Sequence, residues 1–204
     1  MKTLFYNAGL ITRRNYREMR IVRDMGKNNK IQIKIPGGMQ EEGLDNNPEL
    51  WLVEIERLMV QANFSKEQIK AILEFEELRV FNENDTFGTR RRAVTRELLE
   101  ETGAYASKVR GLHERINPAN KKIEGSCDVN QKFFFVEEYI MPLAGGQKFE
   151  SLDKDVKGAA WICADMLLSN EVGGEQIIYT HNTAIRKACA MEEFSKEITI
   201  ADLL

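Results

Sequence analysis

The sequence predicts an α/β sandwich. Three observations point there. Short β-forming runs lie toward both ends of the chain, at 4–13, 19–23, 31–35, 132–136 and 159–163. Helix signals with recognisable caps cluster between them, from about residue 44 to 103. Strands and helices also mix without a regular βαβ rhythm, which disfavours a doubly wound parallel sheet.

The elements follow in order. The run 4–13 is apolar, with β-formers and one glycine. The run 19–23 is a second strand, and the composition of 26–30 marks a turn. Ile31, Ile33 and Ile35 alternate with Gln32 and Lys34, the period of a half-buried strand, which Pro36-Gly37-Gly38 then stops. Asn47-Pro48 opens a helix, with Asn as N-cap and Pro at the first helical position. Its apolar stripe reads as Leu50, Val53, Ile55, Leu58 and Met59. Ser65 to Gln68 is a capping box for a second helix, with Ile69, Ile72, Leu73 and Phe75 on one side. Thr89 caps a third helix that runs to about Thr102 and ends at Gly103. After a mixed segment, 132–136 is a buried strand, and 145–155 is a charged loop. A strand at 159–163, a short helix from Ala164 and a last helix over 180–191 complete the chain. In that last helix Ala184, Ile185 and Ala188 face inward. The block 44–87 reads as a helical hairpin inserted into a single domain spanning 1–204.

A net charge of −3 lacks the basic excess of a bulk nucleic-acid binder. Cys127, Cys163 and Cys189 form no CxxC pair and read as reduced thiols. The first residues lack a signal-peptide apolar core, and no run approaches membrane-span length. The expectation is a cytoplasmic protein without a membrane partner. His113 and His181 have no zinc-motif spacing, and no GxSxG elbow occurs.

Glu97, Glu100 and Glu101 sit at i, i+3 and i+4, so their carboxylates share one helix face. Hard oxygen ligands grouped in this way suit Mg²⁺, with Mn²⁺ as an alternative. Isolated, such spacing describes a solvated acidic face. Its surroundings are more specific. The run from Arg96 to Ala104, Arg-Glu-Leu-Leu-Glu-Glu-Thr-Gly-Ala, resembles the second half of the Nudix box, R-E-U-x-E-E-x-G-U. Pro36-Gly37-Gly38 after a strand resembles the start of that box. The strand at 133–136, Trp161 and the final helix resemble the downstream order of the Nudix (MutT-like) hydrolases. The resemblance departs at one place. Counting back from Arg96 puts Gly88 where the first glutamate of the box belongs, and counting forward from Gly38 puts Leu44 there. The box is split by the insertion, and Glu41 or Glu42 are the candidate replacements.

The resemblance implies a Nudix-type α/β/α sandwich with a mixed sheet. It implies metal-dependent hydrolysis of a diphosphate linkage in a nucleoside diphosphate derivative. Glu97, Glu100 and Glu101, with the Gly37 carbonyl, would hold the metal, and Arg96 would orient the acidic cluster. As a mere surface partner of Glu100, Arg96 would contribute only about 0.3–0.5 kcal/mol. Glu150, Asp153 and Asp155 are candidates for the general base. Arg90, Arg91 and Arg92 lie in a first turn, where the helix dipole favours acidic residues. They either contact an anionic substrate or pair with Glu74, Glu76, Glu77 and Glu83. Pro118, fifteen positions beyond Gly103, matches a proline of ADP-ribose-type relatives. ADP-ribose and nucleotide sugars are therefore favoured, with RNA 5′ ends and nucleoside triphosphates left open. A homodimer is also implied. The competing reading is a Nudix-fold module that binds a nucleotide without turnover.

Overall fold

The computed structural model describes residues 3–13, 17–25, 31–83, 86–119, 126–142, 156–169, 176–177 and 179–191. The first strand, β1 (Thr3–Arg13), is the hub of the sheet. One stretch of it pairs antiparallel with β4 (Gly37–Met39), through Tyr6↔Met39, Asn7↔Gly38 and Ala8↔Gly37. It also pairs in parallel with β6 (Asp128–Ile140), from Thr3↔Asp128 to Ile11↔Val136. At its far end, Thr12 and Arg13 turn to β2 (Glu18–Met25). That strand carries β3 (Ile31–Lys34) and β7 (Val156–Cys163), both antiparallel. Outside β6 lies β5 (Tyr105–Asn117), antiparallel, and β8 (Gln176–Ile177) adds in parallel to β3. Among the described residues this is an eight-stranded mixed sheet in the order β5-β6-β1-β2-β3-β8, with β4 and β7 off that path.

Strand alternation sends neighbouring residues to opposite faces. Ile11, Phe134 and Val136 meet Val94 and Leu98 of α3 (Thr86–Thr102) on one face. Ala8, Leu10, Ile33 and Phe133 meet the other layer, α4 (Ala164–Ser169) and α5 (Tyr179–Cys189), through Leu167, Ala184, Ile185 and Ala188. The expected sandwich is therefore present. No helix among the described residues is long and apolar enough to cross a membrane.

Between β4 and α3 run α1 (Pro48–Gln61) and α2 (Lys66–Val80). Their caps are those the sequence predicts. The Asn47 side chain accepts from the Leu50 N–H at 3.2 Å. Ser65 and Gln68 exchange reciprocal bonds of 3.2 and 3.1 Å. Each such cap is worth about 1 kcal/mol. The buried faces differ from the predicted stripes. Leu50 and Val53 are exposed, and the inward line of α1 is Trp51, Ile55, Leu58 and Met59. That line keeps the true helical period, and Trp51 locks it by donating its indole N–H to the Arg92 carbonyl at 2.9 Å. On α2, Phe75 is exposed while Glu76 is fully buried, because Glu76 meets Arg91 and Tyr105. The third helix starts at Thr86 rather than being capped by Thr89. Phe87 anchors this extra turn, with its ring 5.9 Å from that of Phe134. The turn at 26–30 and the loop at 145–155 lie outside the described residues. The last helix, expected over 180–191, is α5 and ends at Cys189, and Pro36-Gly37-Gly38 does not end the sheet but leads into β4.

His181 of α5 ties this layer to β3. Its Nδ1 accepts the Ile35 N–H at 2.9 Å, and its ring meets Phe133 edge-on. Burial, with Lys34 adding to it, pushes its pKa down to about 3. Unfolded, the ring would titrate near 6.5. Below that pH the unfolded chain takes up a proton that the fold refuses, so stability falls as pH drops from about 6.5 toward about 3. Between pH 7 and pH 5 the wild type is expected to lose about 2 kcal/mol that a His181→Gln variant keeps. Denaturant unfolding at the two pH values checks this; equal losses would mean that the ring ionises inside the fold.

Candidate active site

The turn from β3 into β4 forms the floor of the acidic face. The Gly9 N–H donates to the Pro36 carbonyl at 2.9 Å, and the Tyr6 hydroxyl donates to the Gly37 carbonyl at 3.0 Å. Two glycines then permit close approach, Gly37 to β1 and Gly38 to α3. Gly37 has φ +155°, and a Cβ there would lie 2.3 Å from the Asn7 carbonyl oxygen. At Gly38 a Cβ would sit 2.4 Å from a Glu97 carboxylate oxygen. Only backbone without a side chain leaves room for that carboxylate. The Gly37 N–H donates to Glu101 Oε2 at 2.6 Å, fixing the second glutamate.

Arg96 is the centre of the cluster and is 2 % exposed. Its Nε and Nη2 meet Asp45 Oδ1 and Oδ2 at 3.1 and 3.2 Å. Nη1 meets Glu100 Oε2 at 3.0 Å and Glu41 Oε1 at 3.4 Å. Nη2 also reaches Glu97 Oε1 at 3.0 Å and the Met39 carbonyl at 3.2 Å. Burial alone would lower the pKa of this guanidinium, but Asp45, Glu97 and Glu100 outweigh it and raise it. Asp45 is fully buried and also accepts the Glu41 N–H at 2.8 Å. It therefore supports Arg96 across the insertion, in the place where the sequence offered Glu41 or Glu42. Glu42 is exposed, and Glu41 touches Arg96 only from the rim.

Glu101 is 1 % exposed, and its Oε1 lies 2.8 Å from Lys34 Nζ. Lys34 also reaches Asp24 Oδ2 at 3.2 Å. The Glu97 carboxyl is pushed up to about 8, first by burial and then by Glu100 and Glu101, against the pull of Arg96 and Lys34. Sequence reasoning missed Asp45 and Lys34. Asp45 stands one residue beyond the counted position, and Lys34 looks like an ordinary solvent-facing residue of an alternating strand.

The arginine triplet turns inward. Arg91 pairs with Glu76 at 3.0 Å and Glu83 at 2.8 Å. Arg92 donates to the Asp45 carbonyl at 2.7 Å. Arg90 meets Glu114 at 3.4 Å and lies 4.8 Å from the Phe5 ring. All three are at most 3 % exposed, and of the two readings of Arg90, Arg91 and Arg92 this burial favours pairing inside the protein over contact with substrate. Their charge is met inside the protein, by two of the four glutamates named from sequence and by groups outside that set. Glu150, Asp153 and Asp155 lie outside the described residues.

Among the described residues no three His, Cys, Asp or Glu side chains already form a metal cage. The donor set nevertheless fits a hard divalent cation by chemistry and charge. Asp45, Glu41, Glu97, Glu100, Glu101 and Asp24 face Arg96 and Lys34, six carboxylates against two cations. Glu100 and Glu101, which add to burial in raising the Glu97 pKa, reflect the same surplus.

This is the Nudix hydrolase fold. The chain matches a Nudix hydrolase from Nitrosomonas europaea with a TM-score of 0.55 at 15% identity, covering 100% of this chain and 96% of that one. It matches the Nudix domain of Shewanella oneidensis NrtR, solved with ADP ribose, with a TM-score of 0.53 at 13% identity, over 92% and 87% of the two chains. A MutT Nudix hydrolase from Burkholderia pseudomallei gives 0.51 at 11% identity, over 92% and 98%. At these identities the likeness is one of fold. No protein-family model and no curated protein matches the sequence.

Asp45→Ala is expected to lower the unfolding free energy by about 3 kcal/mol, the low end for a broken buried pair because Glu97 and Glu100 remain beside Arg96. Glu42→Ala should stay within about 0.5 kcal/mol of wild type. Denaturant titration of both variants checks the ordering, and equal effects would remove Asp45 from this role.

Proposed function

We propose that this protein is a metal-dependent Nudix-type hydrolase that cleaves the diphosphate linkage of a nucleoside diphosphate derivative. ADP-ribose and nucleotide sugars are the favoured substrates. The observation that carries this reading is the seating of Glu97 and Glu101 against Gly38 and Gly37, with Arg96 clamped by Asp45 beside them. A solvated acidic face needs no such backbone fit. The likeness in fold to a Nudix domain solved with ADP ribose supports the substrate class.

Glu97, Glu100, Glu101 and the Gly37 carbonyl would hold Mg²⁺, with Mn²⁺ as the alternative. When bound, the ion would neutralise phosphate charge and make water a better nucleophile. Arg96 keeps Glu97 and Glu100 in place, and the Gly37 N–H orients Glu101. Glu150, Asp153 and Asp155 are the proposed sources of a general base. We read the chain as one domain with the helical pair as an insertion, acting in the cytoplasm and assembling as a homodimer.

A second reading, a nucleotide-binding module without turnover, has one observation in its favour: Lys34 already supplies Glu101 with a cation. A panel assay separates the two. ADP-ribose, nucleotide sugars, dinucleoside polyphosphates, nucleoside triphosphates and 5′-triphosphate RNA are each offered with Mg²⁺ and with Mn²⁺. The expected result is metal-dependent cleavage of ADP-ribose or a nucleotide sugar, reduced about 100-fold by Glu100→Gln and by Glu101→Gln. Nucleotide binding with no cleavage of any substrate would favour the module, and cleavage indifferent to both substitutions would place the chemistry elsewhere.

A further inference from the structure

We infer that Lys34 is the resting counter-cation of the acidic site and sets its affinity for a divalent ion, sitting on Glu101 when the metal is absent and withdrawing to Asp24 when it is bound. This rests on the metal-dependent reading above and goes beyond it by naming what the metal must displace.

The geometry is specific. Ile33 and Ile35 are fully buried in the core on one face of their segment, so alternation turns Lys34 to the opposite face. There its side chain is 12 % exposed and its Nζ lies between two carboxylates, Glu101 at 2.8 Å and Asp24 at 3.2 Å. Register explains the second contact: Lys34 pairs with Val22, and Asp24 is the diagonal neighbour on the same face of β2. Glu101 has one oxygen on the Gly37 N–H and the other on Lys34. A metal that uses Glu101 meets the lysine charge at the oxygen it needs.

The two cations of the site differ in freedom. Arg96 is a planar fork fixed bidentate on Asp45, and it stays where it is. Lys34 is a point charge on a four-carbon stem, able to move between carboxylates without moving its strand. Asp24 is 24 % exposed and already within ion-pair distance, so it can receive the ammonium when Glu101 changes partner.

Mn²⁺ binding to the full chain, followed by the loss of the free-ion electron paramagnetic resonance signal, tests the inference. Lys34→Gln is expected to tighten Mn²⁺ binding by at least about tenfold, since a positive charge within a few ångströms is removed. Lys34→Arg, which keeps the charge, should stay within about threefold of wild type. Asp24→Asn removes the receiving carboxylate and should weaken Mn²⁺ by about threefold or more. As a second readout, Lys34→Gln should show a lower Tm in EDTA and a larger recovery on adding Mn²⁺ than the wild type. Glu100→Gln separates the two levels of argument. If it leaves wild-type Mn²⁺ affinity unchanged, the acidic face is not the metal site, and both readings fall. If it weakens binding while Lys34→Gln and Asp24→Asn do not shift affinity in opposite directions, the site stands and the role of Lys34 is overturned. Should Lys34→Gln fail to fold, the sign of the Asp24→Asn effect decides alone.

Discussion

The bidentate pair between Arg96 and Asp45 is the constraint on which the acidic face depends. Through Arg96, the end of β4 and the nearby entry to the helical pair are joined to the middle of α3, far along the chain. A buried ion pair is weak evidence of net stabilisation, because desolvation offsets much of the attraction. Its value here is positional. With the guanidinium plane fixed by Asp45, its remaining donors point at Glu97, Glu100, Glu41 and the Met39 carbonyl. The same aspartate also anchors the helical pair, because its backbone carbonyl accepts from Arg92, whose own carbonyl accepts from Trp51. Side-chain charge and main-chain bonding at residue 45 thus set both the site and the docking of α1.

A second charge network holds α2. Glu76 is fully buried yet carries Arg91 and the Tyr105 hydroxyl. Burial, with Glu76 adding to it, drives the Tyr105 pKa well up, which keeps the phenol a proton donor to that carboxylate. Arg91 also reaches Glu83, and Arg79 bridges Glu83 at 2.8 Å and the Ser107 carbonyl. Arg91 therefore has its opposing charges on the neighbouring helix and the following turn, while Arg90 meets Glu114 of β5. Because α3 begins at Thr86, the three arginines lie beyond its first turn, where the helix dipole has largely fallen off.

Much of this was legible in the sequence, and what was not has physical causes. Period and capping chemistry are local, so β1, β2, β3 and the openings of α1 and α2 could be read directly. The strand β5 could not. Its pairing with β6 shifts register near Ala106, Lys108 and Gly111, which breaks the alternation a strand is recognised by. The acidic residues of α3 were legible because three carboxylates on one face need an explanation. Asp45 was not, since its role depends on a chain reversal that restores across the insertion what a simple count from Gly38 loses. Lys34 was hidden by its own regularity. In an alternating strand the polar position is assumed to face water, and only tertiary packing shows that α3 covers it.

A face that gathers this many carboxylates must remain folded before any ligand arrives. The structure meets that requirement in three ways, one for each glutamate of the motif. Glu100 is held by a cation that cannot move, the guanidinium fixed on Asp45. Glu101 is held by one that can, the Lys34 ammonium with Asp24 beside it. Glu97 is buried against Gly38 beside Arg96, and burial pushes its pKa up to about 8, so a proton is held more readily there than on an exposed carboxylate. A fixed charge, a movable charge and a proton differ in how readily they yield. The immobile partner preserves the shape of the site, while the other two can be exchanged for an incoming ion without rebuilding the helix. Stability in the resting protein and capacity for an added cation are then compatible, because they are assigned to different carboxylates.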